Sequence, residues 1–116
     1  MTAAELKDAL QSTSELRITV TGRRSGREIS HPVWFVQEDD DLYLLPVRGS
    51  DTGWYRNVLE DPTIRIASDR TQLTALATPI TEPAAVSDVA EKFSAKYGDL
   101  DRYYPRRNVA VHVPLG

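Results

Sequence analysis

The chain has 116 residues, sets 14 Lys and Arg against 17 Asp and Glu for a net charge of -3, and contains no cysteine. That length fits a single domain over residues 1–116. The acidic balance argues against general nucleic-acid binding, and the lack of cysteine excludes disulfides, thiolate metal ligands and a cysteine nucleophile. The histidines are His31 and His112, too few for a histidine-based metal site without carboxylate help, so no metal is expected. The N-terminus shows no basic-then-apolar leader pattern, and no apolar run is long enough to span a bilayer. These features predict a cytoplasmic protein with no integral membrane segment.

Residues 2–11 read as a helix, with Thr2 as cap, Glu5 completing a capping box, and Leu6, Ala9 and Leu10 forming an apolar stripe. Leu16, Ile18 and Val20 then alternate with Arg17, Thr19 and Thr21, which predicts a half-buried strand. Gly22-Arg23-Arg24-Ser25-Gly26 is a turn. Residues 27–37 form a second strand, with Ile29, His31, Val33 and Phe35 on one face. Pro32 lacks a donor and confines that strand to an edge or a bulge. A charged turn at 38–41 leads to a third strand, 41–47, apolar on both faces. After the loop 48–52, residues 53–60 form a short helix capped by Asp51 or Thr52, and Asp61-Pro62 ends it. Residues 63–69 and 71–81 pair as a hairpin across a turn at 68–71. A helix over 83–98 starts near Thr81 or Ser87 and stops at Gly98. Loop 99–107 precedes a last alternating strand at 108–115. Six strands joined by short turns, with two substantial crossover helices, predict a closed or nearly closed antiparallel barrel.

Four clusters can carry chemistry. In Thr21–Arg27, turn amides can face outward to cradle an anion, and Arg23, Arg24 and Arg27 add bidentate donors. Composition alone makes the same cluster a solvated hairpin turn. Trp54-Tyr55-Arg56-Asn57 opens a helix whose amides suit an anion, or else anchors the core. His31-Pro32-Val33-Trp34-Phe35 can wall a flat pocket, or fill the barrel, with His31 as a hydrogen-bonded interior residue. Tyr103 and Tyr104 can close over a planar ligand and donate from their hydroxyls, or simply pack the loop. No G-x-S-x-G, H-E-x-x-H or G-x-G-x-x-G pattern occurs, so an enzyme of this sequence needs a cofactor to bring the reactivity.

The ordered set T-G-R-R-S-G-R, H-P-V-W-F, W-Y-R-N-V-L-E-D-P and V-A-V-H-V-P resembles the deazaflavin-dependent nitroreductase and quinone reductase family. That family lies within the split β-barrel flavin and deazaflavin oxidoreductases. The likeness runs from about Leu16 to Leu115 and is strongest over Thr21–Gly26 and Trp54–Pro62. It implies a mainly β, α+β fold: a six-stranded antiparallel split barrel of the pyridoxamine-phosphate-oxidase type. It further implies coenzyme F420, or FMN as an alternative, held by Arg23, Arg24, Ser25, Gly26 and Arg27 at its tail. Pro32, Val33 and Trp34 would lie along the ring, and Trp54, Tyr55 and Asn57 beside it. Tyr103 and Tyr104 would shape the substrate side. The chain departs from the family in its short loop 49–53 and in Arg24, where lysine is common.

The activity so implied is hydride transfer from reduced F420 to a quinone or nitro compound. The other reading is a non-enzymatic carrier of a flavin-type cofactor or another anionic small molecule. A homodimer is also expected, because the third strand is apolar on both faces and Trp34 and Tyr43 add aromatic surface.

Overall fold

A computed structural model describes residues 3–68 and 70–116. The proposed Thr2 cap and part of the 68–71 turn lie outside the described residues. The first helix, α1 (Ala3–Gln11), buries Leu6 and Leu10, one helical turn apart. Two antiparallel sheets follow. One contains β1 (Leu16–Thr21), β2 (Glu28–Val33), β5 (Thr63–Ser68) and β6 (Thr71–Leu76), in the order β2-β1-β5-β6. The other contains β3 (Val36–Glu38), β4 (Asp41–Leu44), β7 (Thr78–Ile80) and β8 (Ala110–Pro114), in the order β3-β4-β8-β7. Helix α2 (Gly53–Glu60) connects β4 to β5, and α3 (Pro83–Tyr97) connects β7 to β8.

The fold is therefore mixed α+β, and among the described residues the expected six strands are eight in two four-stranded sheets. Two predicted strands bend and pass from one sheet to the other. The run 27–37 breaks at Trp34-Phe35, between β2 and β3. The Phe35 amide donates to Tyr97 Oη at 3.0 Å, and its carbonyl accepts from Lys96 Nζ at 2.8 Å. The end of α3 thus satisfies backbone groups that leave the ladder. The run 71–81 breaks at Ala77, whose amide donates to the Pro62 carbonyl at 2.8 Å. Pro32 does sit on an edge strand of its sheet, opposite Arg17.

Two apolar clusters form. The larger lies between the sheets and includes Ile18, Val20, Leu42, Ile64, Ile66 and Val113, with α1 and α2 closing it. The second includes Val36, Leu45, Val89, Phe93, Leu100 and Tyr104, with Trp34, Tyr43 and Tyr97 packed against it. It weakens one ground for a dimer, because this cluster of the same chain takes up Tyr43 and Leu45 on the second face of the 41–47 run, though Val47 stays exposed. The start of α3 also differs from expectation. Glu82 is its N-cap, accepting from the Ala84 and Ala85 amides at 3.2 and 2.9 Å, in place of Thr81 or Ser87. Thr52 occupies the N-cap position of α2 but spends its hydroxyl on the Arg48 amide, at 2.7 Å.

Candidate functional site

The glycine turn is tight because Gly26 takes φ +70°, and because the Gly22 amide donates to the Arg27 carbonyl (2.8 Å) while the Gly26 amide donates to Gly22 (2.9 Å). Ser25 Oγ accepts from the Arg27 amide at 3.2 Å. Asn57 then ties this turn to α2. Its Oδ1 accepts from both the Arg23 amide (3.1 Å) and Arg23 Nη1 (2.8 Å), and Nη1 also reaches the Gly53 carbonyl at 3.3 Å. The amides of Gly22, Arg23, Gly26 and Arg27 are therefore spent on protein acceptors. Those four amides are not available to cradle an anion. The arginine side chains remain available. Arg24 and Arg27 are exposed and make no ion pair with a described residue, whereas neighbouring Glu28 pairs with Arg65 at 3.2 Å.

The turn, the outer part of β2 and the start of α2 surround a cleft of about 620 Å³. Arg23, Pro32, Val33, Trp54 and Asn57, predicted from three separate motifs, line it together. Arg24, Ser25, Gly26 and Arg27 stand outside the lining, on the exposed turn beside it. Tyr55 does not reach the cleft; it is 2% exposed, in the larger core cluster. His31 lines the cleft and is half-exposed, contrary to the expected interior histidine, because β2 sits on an edge and shows both faces to solvent.

A second pocket, about 300 Å³, shares Pro32, Val33 and Val47 with the cleft and holds the remaining predicted residues, Trp34, Tyr103 and Tyr104. Trp34 stacks on Tyr97 at 4.4 Å with planes 6° apart, and Tyr103 leans on it at 4.9 Å. Tyr104 is buried, and desolvation pushes its hydroxyl well above the ordinary tyrosine range, with Tyr97 adding to the rise. Its hydroxyl therefore stays protonated through the neutral range.

Sequence reasoning missed Arg48 as a cleft residue and gave Asp51 only a capping role. Both line the cleft. Asp51 binds Arg56 Nη2 at 2.8 Å and also pairs with Arg106, while Asn108 exchanges hydrogen bonds with Ser50 (3.0 Å to its amide, 2.9 Å to its hydroxyl). These contacts clasp the loop carrying Tyr103 and Tyr104 to the 3-10 turn Gly49–Asp51. The available signal was the run of polar residues directly before a helix start. A larger hollow, about 980 Å³, lies under α1 but contains none of the predicted site residues and is bordered by the Lys7–Asp40 ion pair. Among the described residues, no acidic or histidine cluster could hold a metal, and no helix is long and apolar enough to cross a membrane.

This arrangement of sheets and helices recurs in solved structures at 20% identity or less. The chain is similar in structure to an F420-H2 dependent reductase (TM-score 0.70, 20% identity, 86% of this chain and 93% of that one). It is also similar to the heme-storage protein HutZ of Vibrio cholerae (TM-score 0.74, 17% identity, 98% and 90%). A third similar structure is a domain-swapped dimer (TM-score 0.69, 20% identity, 95% of each chain). No curated protein matches the chain. Over residues 5–113 the sequence matches the family described as "uncharacterized protein conserved in bacteria (DUF2255)", and the chain belongs to that family.

Proposed function

We propose that the cleft beside β2 binds a flavin-type coenzyme, F420 first and FMN as the alternative, and that the protein is a reductase of flat electrophiles such as quinones or nitro compounds. The observation that carries this reading is the convergence of Arg23, Pro32, Val33, Trp54 and Asn57 on one cleft. The donor set fits such a coenzyme. Apolar Val33 and Trp54 suit a planar ring, and Arg23 and Arg48, with Arg24 and Arg27 on the adjacent turn, suit a phosphate or carboxylate tail.

The bound coenzyme, when reduced, supplies a hydride. The chain's own part is positioning and exclusion of water. Asn57 fixes Arg23 at the mouth of the cleft. Pro32, Val33 and Val47 border both cleft and pocket, and Trp34, stacked on Tyr97, walls the pocket. Tyr103 or Tyr104 would donate a hydrogen bond, or a proton, to the negative charge that develops on the acceptor. Tyr104 is the weaker acid of its ordinary kind because it is buried.

The similarity to a heme-storage protein supports a second reading, a carrier without turnover. Titration of the purified protein with F420, FMN, FAD and haem, followed by absorbance and fluorescence, tests the site. Binding of F420 or FMN is expected, and binding of none of the four would sink both readings. Oxidation of the bound reduced coenzyme by a quinone or nitro acceptor then separates reductase from carrier. A homodimer is part of the same proposal, supported by the domain-swapped relative in place of the two-faced strand. A solution mass near 13.0 kDa would remove it.

A further inference from the structure

The two adjoining pockets carry opposite charge. The cleft is lined by Arg23 and Arg48, and its one carboxylate, Asp51, is paired with Arg56 and Arg106. The smaller pocket has Glu15 as its charged residue, and its other surface comes mainly from Trp34, Tyr103, Tyr104, Leu45 and Val47. Ring faces carry negative potential and attract cations, most strongly on tryptophan. Here a carboxylate adds to that potential. Its field is felt within the ring cluster: burial raises the Tyr97 hydroxyl first, and Glu15 raises it further, against a lowering by the Phe35 backbone.

The rings of this region already hold cations elsewhere. Arg102 lies with its guanidinium 5.8 Å from the centre of Tyr103, outside the pocket lining. Lys96 Nζ sits 3.6 Å from the centre of Phe35 and 5.0 Å from that of Tyr97. Trp34 is packed by Tyr97, which stacks on it at 4.4 Å, and by Tyr104, which meets it edge-on at 6.0 Å.

We propose that the pocket formed by Glu15, Trp34, Tyr103 and Tyr104 binds a small organic cation, a quaternary ammonium or an N-alkylated heteroaromatic ring that fits within about 300 Å³. The apolar wall takes the body of the ligand, the rings face its charge, and Glu15 balances it. Nothing in this depends on what fills the basic cleft. Failure of the coenzyme reading would leave the cation site standing, and the reverse also holds.

The test uses the whole protein without coenzyme and two probes, benzyltrimethylammonium and neutral benzyl alcohol. Their binding is read from the indole N–H signals of Trp34 and Trp54 by NMR. The cation is expected to bind with at least about ten times the affinity of the alcohol and to shift Trp34, not Trp54. Glu15→Gln should weaken the cation about three- to tenfold and leave the alcohol unchanged. Tyr103→Leu keeps the pocket apolar and should erase most of the preference for the cation. Equal affinity for the two probes, an unaltered cation affinity in Glu15→Gln, shifts confined to Trp54, or no binding of the cation would each overturn the proposal.

Discussion

The two loops that flank the cleft handle arginine in opposite ways. In the glycine turn, Asn57 fastens Arg23, while Arg24 and Arg27 project into solvent beside the cleft. In the clasp, Asp51 holds both Arg56 and Arg106, and Asn108 locks onto Ser50. One loop keeps positive charge in reserve, and the other consumes it to hold two segments together. Clustering of arginine in a sequence therefore says little until the carboxylates that face each guanidinium are known. On this comparison the glycine turn is the loop proposed to take an anion, and the clasp ties the loop carrying Tyr103 and Tyr104 to the 3-10 turn.

The largest effect should come from the clasp. Gly49 has φ +57°, and a Cβ there would run into Asn108 Oδ1 and crowd the Arg106 carbonyl at 3.2 Å. Gly49→Ala should cost about 2–4 kcal/mol in urea unfolding. Addition of Asn108→Ala should restore only part of that loss, since the Arg106 backbone stays in place. A variant as stable as the parent would mean that the clasp does not frame the fold.

The glycine turn should respond in the opposite manner. Arg24→Ala with Arg27→Ala should weaken coenzyme affinity by about 10- to 100-fold, more steeply at low salt, while stability changes by less than about 0.5 kcal/mol. Arg23 is a poor choice for this test, because its removal also strips a hydrogen bond from buried Asn57. Asn57→Ala sharpens the point. It frees the Arg23 amide and side chain together and should cost about 1–2 kcal/mol of stability, with affinity falling as well.

The smallest effect concerns alkaline pH. The folded protein holds the Tyr104 proton more tightly than the unfolded chain does, so stability from this group is full below the ordinary tyrosine pKa and is lost as pH rises above it. Near pH 11, Tyr104→Phe should remove about 1 kcal/mol of that alkaline loss. Unfolding curves at pH 8 and pH 11 would show it, and parallel losses in parent and variant would contradict it.

The sequence made the local elements legible where one face is apolar. Leu16, Ile18 and Val20 alternate, Leu6 and Leu10 recur at helical spacing, and both patterns survive in the structure. It could not show where a strand changes sheets. The bend at Trp34-Phe35 depends on Tyr97 and Lys96, more than 60 residues away in the chain. The site divides in the same way. Arg23, Pro32, Val33, Trp54 and Asn57 stood out by motif and do meet in one cleft. Tyr55 looked equally suited from the W-Y-R-N run, but helical geometry turns it into the core. Arg48 and Asp51 left only the weak signal of a polar run before a helix start, because their placement follows from the clasp with Arg106 and Asn108, a tertiary contact.

The two bent runs have a further consequence. Because residues 28–38 and 71–80 each belong to both sheets, neither sheet has an edge that can peel away without dragging its neighbour. The amides of Ile18, Ile66, Leu42 and Val113, two from each sheet, should show one common free energy of opening in hydrogen exchange, that of global unfolding. The molecule gives up independent breathing of its two halves, and the pocket walls carried by the bend at Trp34 inherit the rigidity of the whole.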